Sequence, residues 1–266
     1  MKAKYALSFV VAAALAFALV SCGKKEETAE KAPAAAPAGA PTAAPVDAAT
    51  AASVTGMVKL EGTPPKARKI NMAAEPTCAA LHAASPAVDE EVVEGQGGTL
   101  ANVIVYVREG LGDRKFDAPN TPVTIDQRGC TYSPHVVALM ANQPLDVVNS
   151  DKVAHNIHPV PKYNHEWNKS QGPGQPQIEE KFGREELAIP VKCNVHPWMK
   201  SYIAVFKHPY FQVTGQNGSF ELKNLPPGTY TVEAWHEKYG TTSQAVTLGP
   251  KESKAIQFVF KAASGD

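Results

Sequence analysis

The chain has no charge bias, little sulfur and no apolar run long enough to cross a bilayer. Lys and Arg total 26 and Asp and Glu total 26 in 266 residues. Without a basic excess there is no electrostatic footprint for a nucleic-acid backbone. His-Glu-x-x-His, a glycine-rich phosphate loop and a Ser-His-Asp arrangement in recognisable context are all missing, so the common metalloprotease, nucleotide and serine-hydrolase machinery has no carrier. No amphipathic pattern runs beyond two helical turns, and 22 prolines and 19 glycines cut the chain into short pieces. That excludes a helical bundle. The hydrophobic fraction of 44% is ordinary for a globular protein.

What is present begins with an address. Lys2 and Lys4 precede the run Ala6–Val20, 15 residues in all. This fits a signal-peptide core and falls short of the roughly 20 residues a bilayer needs. The run ends in Leu19-Val20-Ser21-Cys22, which resembles the lipobox of bacterial lipoproteins. The resemblance implies that residues 1–22 form a lipoprotein signal and that Cys22 carries the lipid. Gly23 in the next position implies outer-membrane sorting, with the protein facing the periplasm or the cell surface. A plain secretory signal with an incidental Cys is the alternative. Residues 23–52 are rich in Ala and Pro and read as a disordered tether that holds a folded part off the membrane.

From Ser53 onward short β-like runs take over, among them Val54–Leu60, Ala101–Val107, Val136–Met140, Leu145–Asn149, Leu187–Val191, Tyr202–Phe206 and Thr229–Trp235. Gly, Pro, Asn and Asp separate most of them. Many short strands at this spacing predict an all-β sandwich. A short helix is expected near Glu75–Ala84, and residues 163–186 form the main irregular insertion.

The chemistry concentrates in Val191-Lys192-Cys193-Asn194-Val195-His196-Pro197-Trp198-Met199-Lys200. A thiol, an imidazole and a thioether lie within seven residues. A blue-copper site takes two imidazoles, a thiolate and a weak axial thioether. Cys193, His196 and Met199 supply three of these, and a strand followed by a tight loop can aim them at one point. The fourth is expected from another loop, where Val153-Ala154-His155-Asn156-Ile157-His158 follows a strand and a turn-like Asn149-Ser150-Asp151. A buried structural thiol and a core methionine are the bland alternatives.

At these residues the sequence resembles the cupredoxins. "VVNSDKVAHNIH" is similar to the strand and loop that carry their first His, and "CNVHPWM" has the Cys-x2-His-x2-Met spacing of amicyanin. "GCTYSPHVVALMANQPLDVVN" resembles the upstream hairpin, so the likeness covers about residues 125–206. It implies a Greek-key β-sandwich and one type 1 copper held by His155, Cys193, His196 and Met199. Asn156 would tie the two ligand loops together. It further implies a single-electron carrier, with His196 as an exposed electron exit and Pro197 and Trp198 as an apolar docking patch for redox partner proteins, both donor and acceptor. Trp198 reads equally well as a core residue.

If Cys22 carries lipid and Cys193 carries copper, Cys78 and Cys130 remain as an even pair. In an oxidising compartment they are candidates for a disulfide; the rival is a second metal site of Cys130 and His135. His158 and His165 form a weak candidate for a further metal site. No His-x-His pairs of a multicopper oxidase or nitrite reductase accompany the motif, so the expectation is not an enzyme.

Farther on, "GSFELKNLPPGTYTVEAWH" resembles the carboxypeptidase regulatory-like domain, a small prealbumin-like β-sandwich. Pro226-Pro227-Gly228 forces a sharp turn, and alternating Tyr230, Val232 and Ala234 give one buried face. The expected division is a cupredoxin-like domain over 53–207 and this second domain over 208–266. The strand at 54–62 belongs to either one, and a single enlarged sandwich remains open. The leading reading is a membrane-anchored, monomeric blue copper protein. A copper storage or delivery lipoprotein and a non-metal adhesion or carbohydrate-binding module are the others. Fold alone does not choose between them.

Overall fold

A computed structural model describes residues 46–262. The signal segment, Cys22 and most of the tether lie outside the described residues. All described residues belong to one compact unit, Pro41–Asp266. The architecture is all-β. In chain order it runs β1 (Ala52–Glu61), the short helix α1 (Pro76–Leu81), β2 (Ile104–Glu109), β3 (Val123–Arg128), β4 (Thr131–Ser133), β5 (Val136–Met140), β6 (Leu145–Asn149), β7 (His155–Pro159) and β8 (Lys169–Gln171). It continues with β9 (Ile178–Glu180), β10 (Glu186–Lys192), β11 (Lys200–Phe206), β12 (Phe211–Val213), β13 (Ser219–Leu225), β14 (Gly228–His236), β15 (Gly240–Leu248) and β16 (Ser253–Lys261).

The strands form four sheets, ordered β13-β1-β16, β12-β2-β14-β15, β5-β11-β10-β7-β8 and β4-β3-β6-β9. Side-chain alternation shows how they stack, because successive residues of a strand face opposite sides. On β2, Val105 and Val107 enter one core with Val54, Val58, Val232 and Phe258. Ile104 and Tyr106 of the same strand point the other way and meet Val136, Ala204 and Phe206. On β5 and β11, the neighbours Val137, Leu139, Ile203 and Val205 face a further core with Ile125, Leu145 and Ile157. Two sandwiches therefore stand back to back, sharing an apolar seam between the sheets that contain β2 and β11.

The topology pairs the strand expected at 54–62, left open between the two parts, with C-terminal strands. β1 pairs antiparallel with β13 and parallel with β16, and β2 pairs with β12 and β14. Both early strands complete the C-terminal sandwich, whose hairpins alone present sheets too narrow to cover a core. The sandwich bearing the Cys-His-Met loop begins only at β3. Between β1 and β2 the chain makes a long excursion containing α1. Glu75 caps this helix, its Oε1 accepting from Thr77 N at 3.3 Å, and Pro76 opens it. A proline at the first helical turn loses no helical hydrogen bond.

Candidate metal centre

β10 ends at Lys192, and Cys193 stands at the start of the loop to β11. The loop closes on itself: Met199 N donates to His196 O at 2.9 Å and Cys193 N to Met199 O at 3.4 Å. His196 N donates to Cys193 Sγ at 3.3 Å. β7 begins with His155 and is antiparallel to β10, so His155 arrives at the same end of the sandwich. One donor atom each from His155, Cys193 and His196 lies within 4.8 Å of the others. Their exposures are 1%, 3% and 2%.

Two nitrogens define the chemistry of this cluster. His155 Nδ1 and His196 Nδ1 face each other at 2.9 Å, and Cys193 Sγ lies 3.8 Å from the latter. His155 Nε2 pairs with Asp151 Oδ2 at 2.9 Å, which keeps a proton on Nε2 and turns Nδ1 toward His196. His196 Nε2 is buried without a hydrogen-bond partner. Two converging imidazole nitrogens beside a buried sulfur can share a proton or hold a cation between them. The nitrogen and thiolate donor set suits copper.

The electrostatics favour positive charge at this spot, whether carried by a proton or by a metal ion. Burial resists protonation of His155, but the Asp151 carboxylate and the Cys193 sulfur outweigh it and push its pKa up to about 9. Burial also opposes the thiolate of Cys193; hydrogen bonds from His155 and from surrounding backbone N–H groups overcome it and hold the thiol below its usual value. Burial and the neighbouring His155 lower the pKa of His196, keeping a lone pair available.

Asn156 spans the two ligand segments. Its Oδ1 accepts from Asn194 N at 2.6 Å and lies 3.2 Å from Cys193 Sγ, while its Nδ2 donates to Asn168 at 2.6 Å. Tyr132 OH donates to Asn156 O at 2.6 Å. Met199 is buried in the apolar cluster that also holds Cys193.

Asp151 is the residue that sequence reasoning missed. Besides His155, its carboxylate accepts from Gly129 N and Cys130 N, each at 2.7 Å. The available signal was a carboxylate four residues before His155, hidden inside what reads as an ordinary turn.

Several expectations change. His196 is not an exposed exit: it is buried beneath Trp198, whose ring lies 5.1 Å away. Pro197 is exposed, but Trp198 is only half-buried rather than free. Its Nε1 donates to Cys130 O at 3.0 Å, and it packs against the buried cluster of Met72, Cys78 and Cys130. A disulfide joins Cys78 and Cys130. The rival Cys130–His135 metal site therefore does not form, and His135 pairs with Glu237 instead. His158 and His165 do not share a metal-ligating cluster among the described residues. The ring of His158 is occupied on both sides, by Asn194 at 3.2 Å and Glu166 at 2.6 Å.

None of the curated proteins matches the chain. Similar solved structures include cupredoxins and a copper enzyme. A Cu-containing nitrite reductase from Thermus scotoductus SA-01 is 20% identical over 37% of this chain and 25% of its own, with a TM-score of 0.31. This match therefore spans a quarter of the reductase. A purple cupredoxin from Nitrosopumilus maritimus is 21% identical over 31% of this chain and 98% of its own, with a TM-score of 0.27. A Cu(I) amicyanin variant is 13% identical over 38% and 97%, with a TM-score of 0.28. Residues 206–261, from the last residue of β11 to the end of β16, match the family model of the carboxypeptidase regulatory-like domain.

Proposed function

We propose that this chain is a lipid-anchored type 1 copper protein that passes single electrons to and from redox partner proteins at a bacterial membrane surface. The observation that carries the reading is the convergence of His155, Cys193 and His196 within 4.8 Å, all three buried. His155 Nδ1, Cys193 Sγ and His196 Nδ1 would hold the ion, with Met199 beside them. A copper ion there supplies reversible one-electron exchange.

The protein's part is to keep those donors still. Asp151 fixes the ring of His155, Asn156 fixes the Cys193 loop, and the bond from Met199 N to His196 O fixes the turn. Donors positioned by such supporting hydrogen bonds have little to rearrange when the charge in the pocket changes by one. Trp198 provides the outward contact: it touches His196 on one side and lines a surface cleft of about 360 Å³ on the other. The lipobox at Cys22 supports the membrane anchor. Copper storage or delivery calls for reachable donors, and the 3% or lower exposure of all three favours retention instead.

The test is a Cu(II) titration of the purified chain followed by visible absorption and EPR. An intense thiolate-to-copper band at one copper per chain, bleached by ascorbate and lost in Cys193→Ser and His155→Ala, is the expected result. Tight Cu(I) binding without colour would move the function to copper handling. No copper binding in either state would overturn the metal reading.

A further inference from the structure

The excursion between β1 and β2 closes on itself. Asp89 N donates to Arg68 O and Ile70 N to Ala87 O, each at 2.9 Å, and Arg68 Nε pairs with the Asp89 carboxylate at 2.7 Å. Residues 68–89 thus form an Ω-shaped flap with its own neck, a kind of loop often used functionally. Its polar ties to the body include one covalent link, Cys78–Cys130, and one hydrogen bond, His82 Nε2 to Gly129 O at 2.8 Å. Both reach the turn that Asp151 holds. The inner face of the flap, Ile70, Met72, Cys78 and Ala87, packs with Cys130 and Trp198.

That packing explains why His196 is buried between exposed neighbours. Val195 is 60% exposed, yet His196 beside it is only 2% exposed. Trp198 covers the His196 ring, and the flap covers Trp198. Lifting the flap would free Trp198 and uncover His196 and Cys193, while the β-sheets need not move. A self-closed loop swinging on its neck is an ordinary hinge device.

We propose that residues 68–89 are a latched flap over the Cys193–His196 edge, and that the Cys78–Cys130 disulfide is the latch that keeps it shut. The copper reading says what the flap guards. The flap itself is testable without copper, because Cys193 is the free cysteine among the described residues and is buried.

The experiment is alkylation of Cys193 by iodoacetamide in the metal-free full chain, resolved by peptide mass spectrometry. In Cys78→Ser/Cys130→Ser, with unchanged far-UV circular dichroism, Cys193 labels at least about tenfold faster than in the wild type. Hydrogen exchange on the same samples shows β11 still protected. Equal labelling rates in a folded variant overturn the flap, and so does loss of β11 protection, which would trace the labelling to global unfolding. If the double variant does not fold, wild-type protein is reduced with dithiothreitol, desalted without air and labelled. The reagent leaves as its cyclic disulfide, both cysteines become thiols, and the same acceleration or its absence decides. A chain that never binds copper would sink the proposed function and leave this result standing.

Discussion

Asp151 Oδ2 lies 2.9 Å from His155 Nε2, and the same oxygen accepts the N–H of Cys130 at 2.7 Å. One carboxylate therefore sets the ring of a proposed ligand and the turn carrying the disulfide. Removing it in Asp151→Ala should cost about 10- to 100-fold in Cu(II) affinity, the usual effect of deleting a partner that orients a ligand. Asp151→Asn, which keeps an acceptor without the charge, should lose less. Competition against a chelator of known affinity measures both.

Asn156 predicts a stability effect that needs no metal. Its Oδ1 receives the N–H of Asn194 at 2.6 Å. Asn156→Ala leaves that donor and its neighbours unpaired, at a cost of about 1–3 kcal/mol. Urea unfolding of the metal-free protein should show a lower midpoint at an unchanged slope.

His236 predicts the acid limb of stability. It is fully buried, and burial lowers its pKa to about 4, helped by the charges of His135 and Lys238. The folded state therefore refuses a proton that the unfolded chain accepts near pH 6.5. This histidine has no effect well above pH 6.5, and its neutral burial destabilises progressively as pH falls toward 4. By linkage the loss between pH 7 and pH 5 is about 2 kcal/mol. In His236→Phe the unfolding free energy should depend less steeply on pH across that window; an unchanged slope would remove this residue from the account.

Gly56 sits where no side chain fits. A Cβ there would lie 2.1 Å from Ile256 O and 2.5 Å from the Phe220 ring. Gly56→Ala must push β1 away from β16 or displace the ring, and overpacking of this kind costs about 1–3 kcal/mol. The melting temperature should drop, with the Cys193 loop unaffected by its own thiol-labelling rate.

The strands and the meeting of His155 with Cys193 and His196 are legible in the sequence because their signals are local. Turn residues punctuate the runs, and Cys-x2-His-x2-Met needs only one loop. What covers His196 is not legible, because Met72 and Cys78 reach Trp198 from more than a hundred residues upstream and no pattern within either segment announces the other. The place of β2 lies between these cases. Its unbroken apolar run Ile104-Val105-Tyr106-Val107 is the mark of a strand buried on both faces. That run signals an inner sheet, but it does not say which of the two sandwiches the strand joins.

The parallel pairing of β1 with β16 sets an order of events for a chain being made or exported. Met57 sits opposite Gln257, so the first strand to emerge waits for the last. Until then one edge of β1 has no partner, although β13 already pairs with the other, while the intervening β3–β11 sandwich has all of its strands in hand. Closure across so much chain is slow. The protein is thus fastened last beside its N-terminal segment, and a chain cut short before residue 253 would leave its first strand without that neighbour.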